Sequence, residues 1–422
     1  MTQATLTRLK RLLLCGVFAC WAGGAVGQVS NGYADLMQAG LVQSEQGQFK
    51  AAARLAGQAF RASDDRVQKL QAARLAAGAR LQAGQFTQSE WWLRRAANYA
   101  GSVEEANRVK QDFQSVRAQN PLSAQLSFSI GPSDNINGGA TDRFFYLDQI
   151  KLELPASALA LSGVEVSGSA DIKYVVAQGP RHRTSVGAYL YGRTFALSGA
   201  SKSAVPDALG SDYALTQLDL SVSHLRFLFE GQGPSGVSFH TGQTWYGGSG
   251  LWRYNRLAVS QELKAGDVST VTLRGFVEGQ RAIAAGQPDS TIYGAQAVYA
   301  RRMGNLDVLR FALDSRFQDA DIATYTHWAH RLTVQYDLAQ PVLGTSLSLA
   351  ATVGHKNYDE FSLSLDGRRD WSVSVGATAV FNQISYYGFS PSLTVSASRT
   401  ESNVSRFSTE GVRASFGFTS TF

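Results

Sequence analysis

Cysteine is nearly missing from this 422-residue chain: there are two, Cys15 and Cys20, and both fall in the first stretch of the sequence. That stretch reads as a secretory leader over residues 1–27. It has Arg8, Lys10 and Arg11, an apolar run from Leu12 to Trp21, and small residues from Ala22 to Gly27. Cleavage before Gln28 would leave a mature chain without a thiol, so disulfides, zinc-thiolate sites and cysteine nucleophiles are all excluded. Val17-Phe18-Ala19-Cys20 offers a lipobox-like alternative processing site. Beyond the leader no apolar run is long enough for a membrane-spanning helix. Proline (9) and methionine (3) are scarce. A nucleophile elbow, a P-loop, a His-Glu-x-x-His zinc motif and a dinucleotide fingerprint are all lacking. His327 and His330, three apart on an extended segment, fall on opposite faces, which rules against a metal pair. His182, His224, His240 and His355 are scattered. No cofactor, metal or catalytic residue is therefore expected.

Excess charge is lacking too. After leader removal 36 basic side chains face 33 acidic ones, and residues 122–422 alone carry 24 and 25. No basic run or aromatic-basic stripe suggests nucleic acid. What the chain has in quantity is glycine (41) and aromatic side chains (7 Trp, 16 Tyr, 22 Phe), the composition of strands, turns and interfacial rings.

Residues 28–121 are rich in Ala, Gln and Arg with helical spacing. Gly47-Gln48-Phe49 recurs as Gly84-Gln85-Phe86, and the flanking small residues keep step: Gly40, Ala52 and Ala59 in one copy, Ala77, Ser89 and Ala96 in the next. This spacing resembles tetratricopeptide (TPR) repeats, in which small residues let paired helices approach, with Gly47, Phe49, Gly84 and Phe86 at the inter-helix turns. A further helix, Val103 to Val116, would cap the array; an unrelated bundle of four or five helices is the alternative. Asn120-Pro121 ends the helices.

From Leu122 the period becomes 2. Fourteen alternating segments are expected, at about 122–130, 163–177, 181–196, 213–228, 236–246, 251–263, 268–279, 290–302, 306–318, 325–338, 343–357, 369–382, 386–399 and 408–422. The last presents Val412, Ala414, Phe416, Phe418 and Phe422 on one face and Gly417 among small and polar residues on the other. A terminal aromatic on such a strand resembles the outer-membrane sorting signal read by the barrel assembly machinery, carried here by Phe416, Gly417, Phe418 and Phe422. The expected fold is a membrane all-β protein: a 14-stranded antiparallel outer-membrane barrel over 122–422, preceded by a small all-α, TPR-like periplasmic domain. A soluble sandwich ending in Phe is the competing architecture. Closure is required because backbone groups in hydrocarbon have no water to bond. Trp245, Trp252, Tyr254, Tyr293, Trp328, Tyr387 and Phe389 are expected in interfacial girdles. Asp171, Lys173, Arg274, Glu278, Arg310, Asp314, Arg316 and Arg331 are expected to face the lumen. The span 131–162, with its Ile150/Leu152/Leu154 alternation, is expected to be loop or plug.

Two stretches resemble the surface lipoprotein assembly modifier (Slam) family. They are Gly131-Pro132-Ser133-Asp134-Asn135-Ile136-Asn137-Gly138 after the first strand, and Tyr387-Gly388-Phe389-Ser390-Pro391 continuing to the carboxy-terminus. The order of leader, repeats and barrel resembles that family as well. The resemblance implies a monomeric, non-enzymatic barrel in outer-membrane lipid. It also implies a client, such as a surface lipoprotein or a secreted haem- or metal-acquisition protein, engaged by the periplasmic helices and helped to the cell surface. The helical region is shorter than the family's usual one. A passive porin-like channel and a barrel hydrolase, whose triad would leave no local motif, remain as alternatives.

Overall fold

The structure, a computed structural model, describes residues 32–147, 150–384 and 389–420. The leader, Tyr387 and Phe422 lie outside the described residues. The chain divides into two compact units that part at Leu122.

The first unit is a run of helices: α1 (Gly32–Glu45), α2 (Phe49–Ala62), α3 (Arg66–Gln82), α4 (Phe86–Ala97) and α5 (Val103–Arg117). The two repeat turns are built alike. Gly47 and Gly84 have φ of +74° and +72°, a left-handed conformation that glycine adopts without strain. The Gln48 amide donates back to the Gln43 carbonyl (2.8 Å) and the Gln85 amide to the Arg80 carbonyl (2.9 Å), so both α1 and α3 end in a Schellman motif. The small positions do what their size allows. Ala52, Ala59, Ser89 and Ala96 are fully buried, and Gly40 lies under Leu75. Phe60 packs edge-on to Trp92 at 5.5 Å, and α5 closes the stack with Val109, Phe113 and Val116. Two N-caps start helices: Asp65 accepts from the Gln68 amide (2.8 Å) and Ser102 from the Glu105 amide (3.1 Å).

In the second unit, fourteen strands among the described residues close into an antiparallel barrel. They are β1 (Leu122–Ser133), β4 (Gly163–Gly179), β5 (His182–Leu197), β6 (Leu215–Arg226), β7 (Ser235–Tyr246), β8 (Ser249–Lys264), β9 (Ser269–Ala282), β10 (Ser290–Arg302), β11 (Val308–Ala320), β12 (His327–Asp337), β13 (Ser346–Tyr358), β14 (Arg368–Val380), β15 (Phe389–Ser402) and β16 (Thr409–Ser420). Every expected segment is a barrel strand. The seam is β1 on β16, with Phe128 opposite Phe418 and Ile130 opposite Phe416. Gly131 and Gly417 sit where a Cβ would collide with the partner backbone (the Ala414 and Phe128 carbonyls), so the seam closes only on glycine. Phe416 and Phe418 point outward, half-exposed and edge-to-face at 5.4 Å.

Beyond the end of β1 at Ser133, the span 131–162 contributes no barrel strand. It forms a separate hairpin, β2 (Phe144–Leu147) with β3 (Ile150–Glu153). Leu152 and Leu154 pack with Phe145 and with Leu363 of the 359–367 loop, and the Thr141 amide bonds the Ser408 carbonyl (3.0 Å). The hairpin is therefore held among the loops at one rim. A short helix, α6 (Gly199–Ala204), lies in the connection between β5 and β6 at the same rim. One connection there is tight: β7 turns into β8 through Gly247 and Gly248, both at positive φ.

The outward faces are apolar and open to solvent on nearly every strand, as in Val373/Val375, Leu257/Val259, Leu220/Val222 and Phe311/Leu313. A water-soluble barrel would cover such a belt; in a lipid bilayer it is the stabilising surface. The barrel is an outer-membrane protein.

Candidate functional site

Because side chains alternate along a strand, fixing the lipid face fixes the lumen face. All eight charges expected to face inward do so by register: Asp171 and Lys173 on β4, Arg274 and Glu278 on β9, Arg310, Asp314 and Arg316 on β11, and Arg331 on β12. Most are paired along or across strands. Arg256 bonds Glu278 (2.5 Å), Arg316 bonds Asp314 (2.7 Å), Lys173 bonds Asp171 (2.9 Å), and Arg310 pairs with Asp337. Toward the loop rim Arg413 faces Glu165 (3.1 Å) and Arg368 bonds Asp370 (2.6 Å). Arg274 and Arg331 make no hydrogen bond or ion pair among the described residues. The wall from β8 to β12 therefore presents two arginines without a bonded partner, with Asp314 the register neighbour of Arg331.

Two of the expected girdle residues are misplaced by that expectation. Trp252 and Tyr254 share parity with Arg256, not with Leu257 and Val259, and so face the lumen. Tyr254 is buried, at 3 % exposure, because its hydroxyl has a partner there: it donates to Asp219 Oδ2 at 2.7 Å and accepts from Gln217 Nε2 at 3.1 Å. Trp328, Tyr293 and Trp245 face outward as expected. Phe317 and Trp328 pack at 4.8 Å, and His355 lies against Trp371 at 4.3 Å, forming an aromatic patch on the outer wall. His327 and His330 are on opposite faces: His330 joins this patch beside Trp328, while His327 turns inward.

A constellation that sequence reasoning did not assemble gathers around Asp219. Its Oδ1 meets His240 Nδ1 at 2.9 Å, and His240 Nε2 meets Ser238 Oγ at 3.1 Å. Asp219 comes from β6, Ser238 and His240 from β7, and Tyr254 from β8, all on inward positions of adjacent strands. The sequence signal was slight: Ser238-x-His240 places two polar groups on one strand face, and nothing local links them to Asp219.

The repeat-turn residues Gly47, Phe49, Gly84 and Phe86 belong to the helical unit, which has its own groove of about 470 Å³ along α1 and α2, lined by Gln38, Val42, Gln43 and Arg54 among others. No protein-family profile matches this chain, and no curated protein does. Solved structures overlap it loosely. An outer-membrane channel from Pseudomonas putida F1 is 14 % identical, over 72 % of this chain and 96 % of that one, with a TM-score of 0.35. A BenF-like porin from Pseudomonas fluorescens Pf-5 is 8 % identical over 71 % and 99 %, TM-score 0.38. An anion-selective porin from Comamonas acidovorans is 10 % identical over 71 % and 100 %, TM-score 0.35. Overlap this loose says nothing of what passes through this barrel.

Proposed function

We propose that the barrel is a passive passage for small hydrophilic solutes across the outer membrane, with a preference for anions. The observation that carries this reading is the pair of inward arginines, Arg274 and Arg331, neither of which makes a hydrogen bond or ion pair among the described residues. Fourteen strands about 4.8 Å apart and tilted by about 40° close at a backbone radius of about 14 Å. That is wide enough for a wet lumen even after side chains reach inward. Fixed positive charge on one wall of such a lumen concentrates anions and repels cations. Planar-bilayer recording of the full chain tests it. Steady conductance is expected, with a reversal potential in a salt gradient on the anion side that moves toward neutrality in Arg274→Gln/Arg331→Gln. A silent membrane, or selectivity unmoved by the double variant, overturns the reading.

A second reading is favoured by one observation, the concave groove on α1 and α2. In it the helical unit is a periplasmic, TPR-like receptor, and the barrel belongs with the Slam family as a translocator for an exported client. Gln38, Gln43 and Arg54 are suited to hydrogen-bond an extended peptide, with Val42 as an apolar contact. Removing residues 32–117 would then abolish surface display of the client while leaving the inserted barrel and its conductance intact. Undiminished display would exclude a receptor role.

A further inference from the structure

We propose that Ser238, His240 and Asp219 form an acyl-transfer site on the lumen wall, able to hydrolyse carboxylic esters that enter the barrel. This goes beyond passage and departs from the non-enzymatic expectation. It rests on how the hydrogen bonds constrain one another. Asp219 accepts on both oxygens, from Tyr254 Oη at 2.7 Å and from His240 Nδ1 at 2.9 Å. A carboxylate has no proton to give, so the imidazole proton must sit on Nδ1. In the neutral imidazole Nε2 is then a lone pair, and the Ser238 hydroxyl at 3.1 Å donates to it. This is the tautomer and the polarity that a serine nucleophile needs from its base, and it is enforced by a carboxylate that a buried tyrosine fixes in place. Ser238 itself is only partly covered, open to the lumen.

The surroundings supply a place for the substrate. Arg274 stands two strands from Ser238, with Gly236 and Ser260 as the inward neighbours on the way. Two inter-strand steps and a two-residue offset along the strand put the two backbones about 12 Å apart, within the combined reach of an arginine and a bound acyl group. Because Arg274 makes no hydrogen bond or ion pair among the described residues, its guanidinium is placed to hold a negative charge there. The substrate class is thus an ester with an anionic acyl part, small enough to enter from either mouth.

The reaction balances with water as the only co-reactant. Ser238 Oγ attacks the carbonyl carbon while its proton passes to His240 Nε2. The tetrahedral adduct expels the alcohol, which takes that proton. Water, deprotonated by the same Nε2, then attacks the acyl-serine, and the carboxylate leaves as Ser238 recovers its proton. Ser238 and His240 are the catalytic residues, while Asp219 and Tyr254 are positioning residues.

The test uses the full chain folded in detergent. A fluorophosphonate probe followed by peptide mass spectrometry is expected to label Ser238, and 4-nitrophenyl hemisuccinate is expected to be hydrolysed. Ser238→Ala and His240→Gln should each remove the label and lower turnover by about 10³-fold or more. Asp219→Asn should lower kcat with KM unchanged, and Arg274→Gln should raise KM. No label at Ser238 in the unsubstituted protein overturns the proposal even if a variant fails to fold. Equal labelling in a folded His240→Gln protein overturns it as well. Conductance is recorded separately, so loss of the hydrolytic reading and loss of the channel reading are told apart.

Discussion

Placing an arginine on each of two neighbouring residues of β14 separates a lipid-facing wall from every alternative. Val375 points outward, 53 % exposed, between Ala351 and Ala397; Ser374 points inward between Thr352 and Ser398. Trp371, exposed on the same outward face, lies four residues nearer the loop rim. With a rise of about 3.3 Å per residue and a tilt of about 40°, Val375 lies about 10 Å below Trp371, close to the middle of an apolar band about 25 Å tall. Val375→Arg should therefore cost about 2–4 kcal/mol, a factor of about 30 to 1,000 in the folding equilibrium. Ser374→Arg puts the same side chain among hydroxyls and water and should cost little. The assay is equilibrium unfolding of the barrel refolded into vesicles, followed by heat-modifiable mobility and tryptophan fluorescence. Equal midpoints for the two variants, or a larger loss for Ser374→Arg, would refute the assignment of faces and the outer-membrane placement with it.

Three further outcomes concern the helical unit, read from its thermal unfolding at 222 nm in the full chain. Gly84→Ala should destabilise by about 1–2 kcal/mol, because φ of +72° is strained for any side chain, whereas Gly78→Ala, mid-helix in α3 with open space at its Cβ, should be neutral or stabilising by up to about 1 kcal/mol. Ser89→Ala should cost about 0.5–1.5 kcal/mol, since the fully buried hydroxyl donates to the Ala77 carbonyl at 2.8 Å. Glu105 is held below the usual carboxylate range, first by the Gly101 amide and then by the Arg66 guanidinium. Its contribution is thus present above that range and lost as pH falls through the lowered value, so acid should loosen the start of α5 in the parent and not in Glu105→Gln.

The barrel was legible because its two solvents differ. Lipid outside and water inside impose a period of 2 on every strand, so each expected segment became a strand and parity alone placed Arg274, Asp314 and Arg331. The helical turns were legible for a different reason: only glycine enters the left-handed region freely, so Gly47 and Gly84 mark the same event in each copy. What failed was judgement by residue type. An aromatic near a strand end suggests a girdle, and Tyr254 obeys its parity instead, since a phenol facing inward can bury its ring and still bond Asp219.

The Asp219 cluster shows why lumen chemistry escapes a linear reading. Neighbouring strands run antiparallel, so residues that touch across them can be far apart in sequence: Asp219 meets His240, 21 positions later, and Tyr254, 35 positions later. A motif search needs fixed local spacing, and a barrel supplies only register, which depends on loop length. The register is set by the lipid face: with β6 in place, a one-residue slip of β7 would turn Val237 and Phe239 into the lumen and carry His240 away from Asp219. Hydrophobic matching of the wall to the bilayer thus fixes the alignment of the polar groups within it. A single-residue deletion in the 227–234 turn should leave the site assembled, because the turn lies outside the ladder, whereas one inside β7 between Ser238 and His240 should abolish it. Fluorophosphonate labelling of Ser238 distinguishes the two, and equal labelling in both would show that register does not hold this site together.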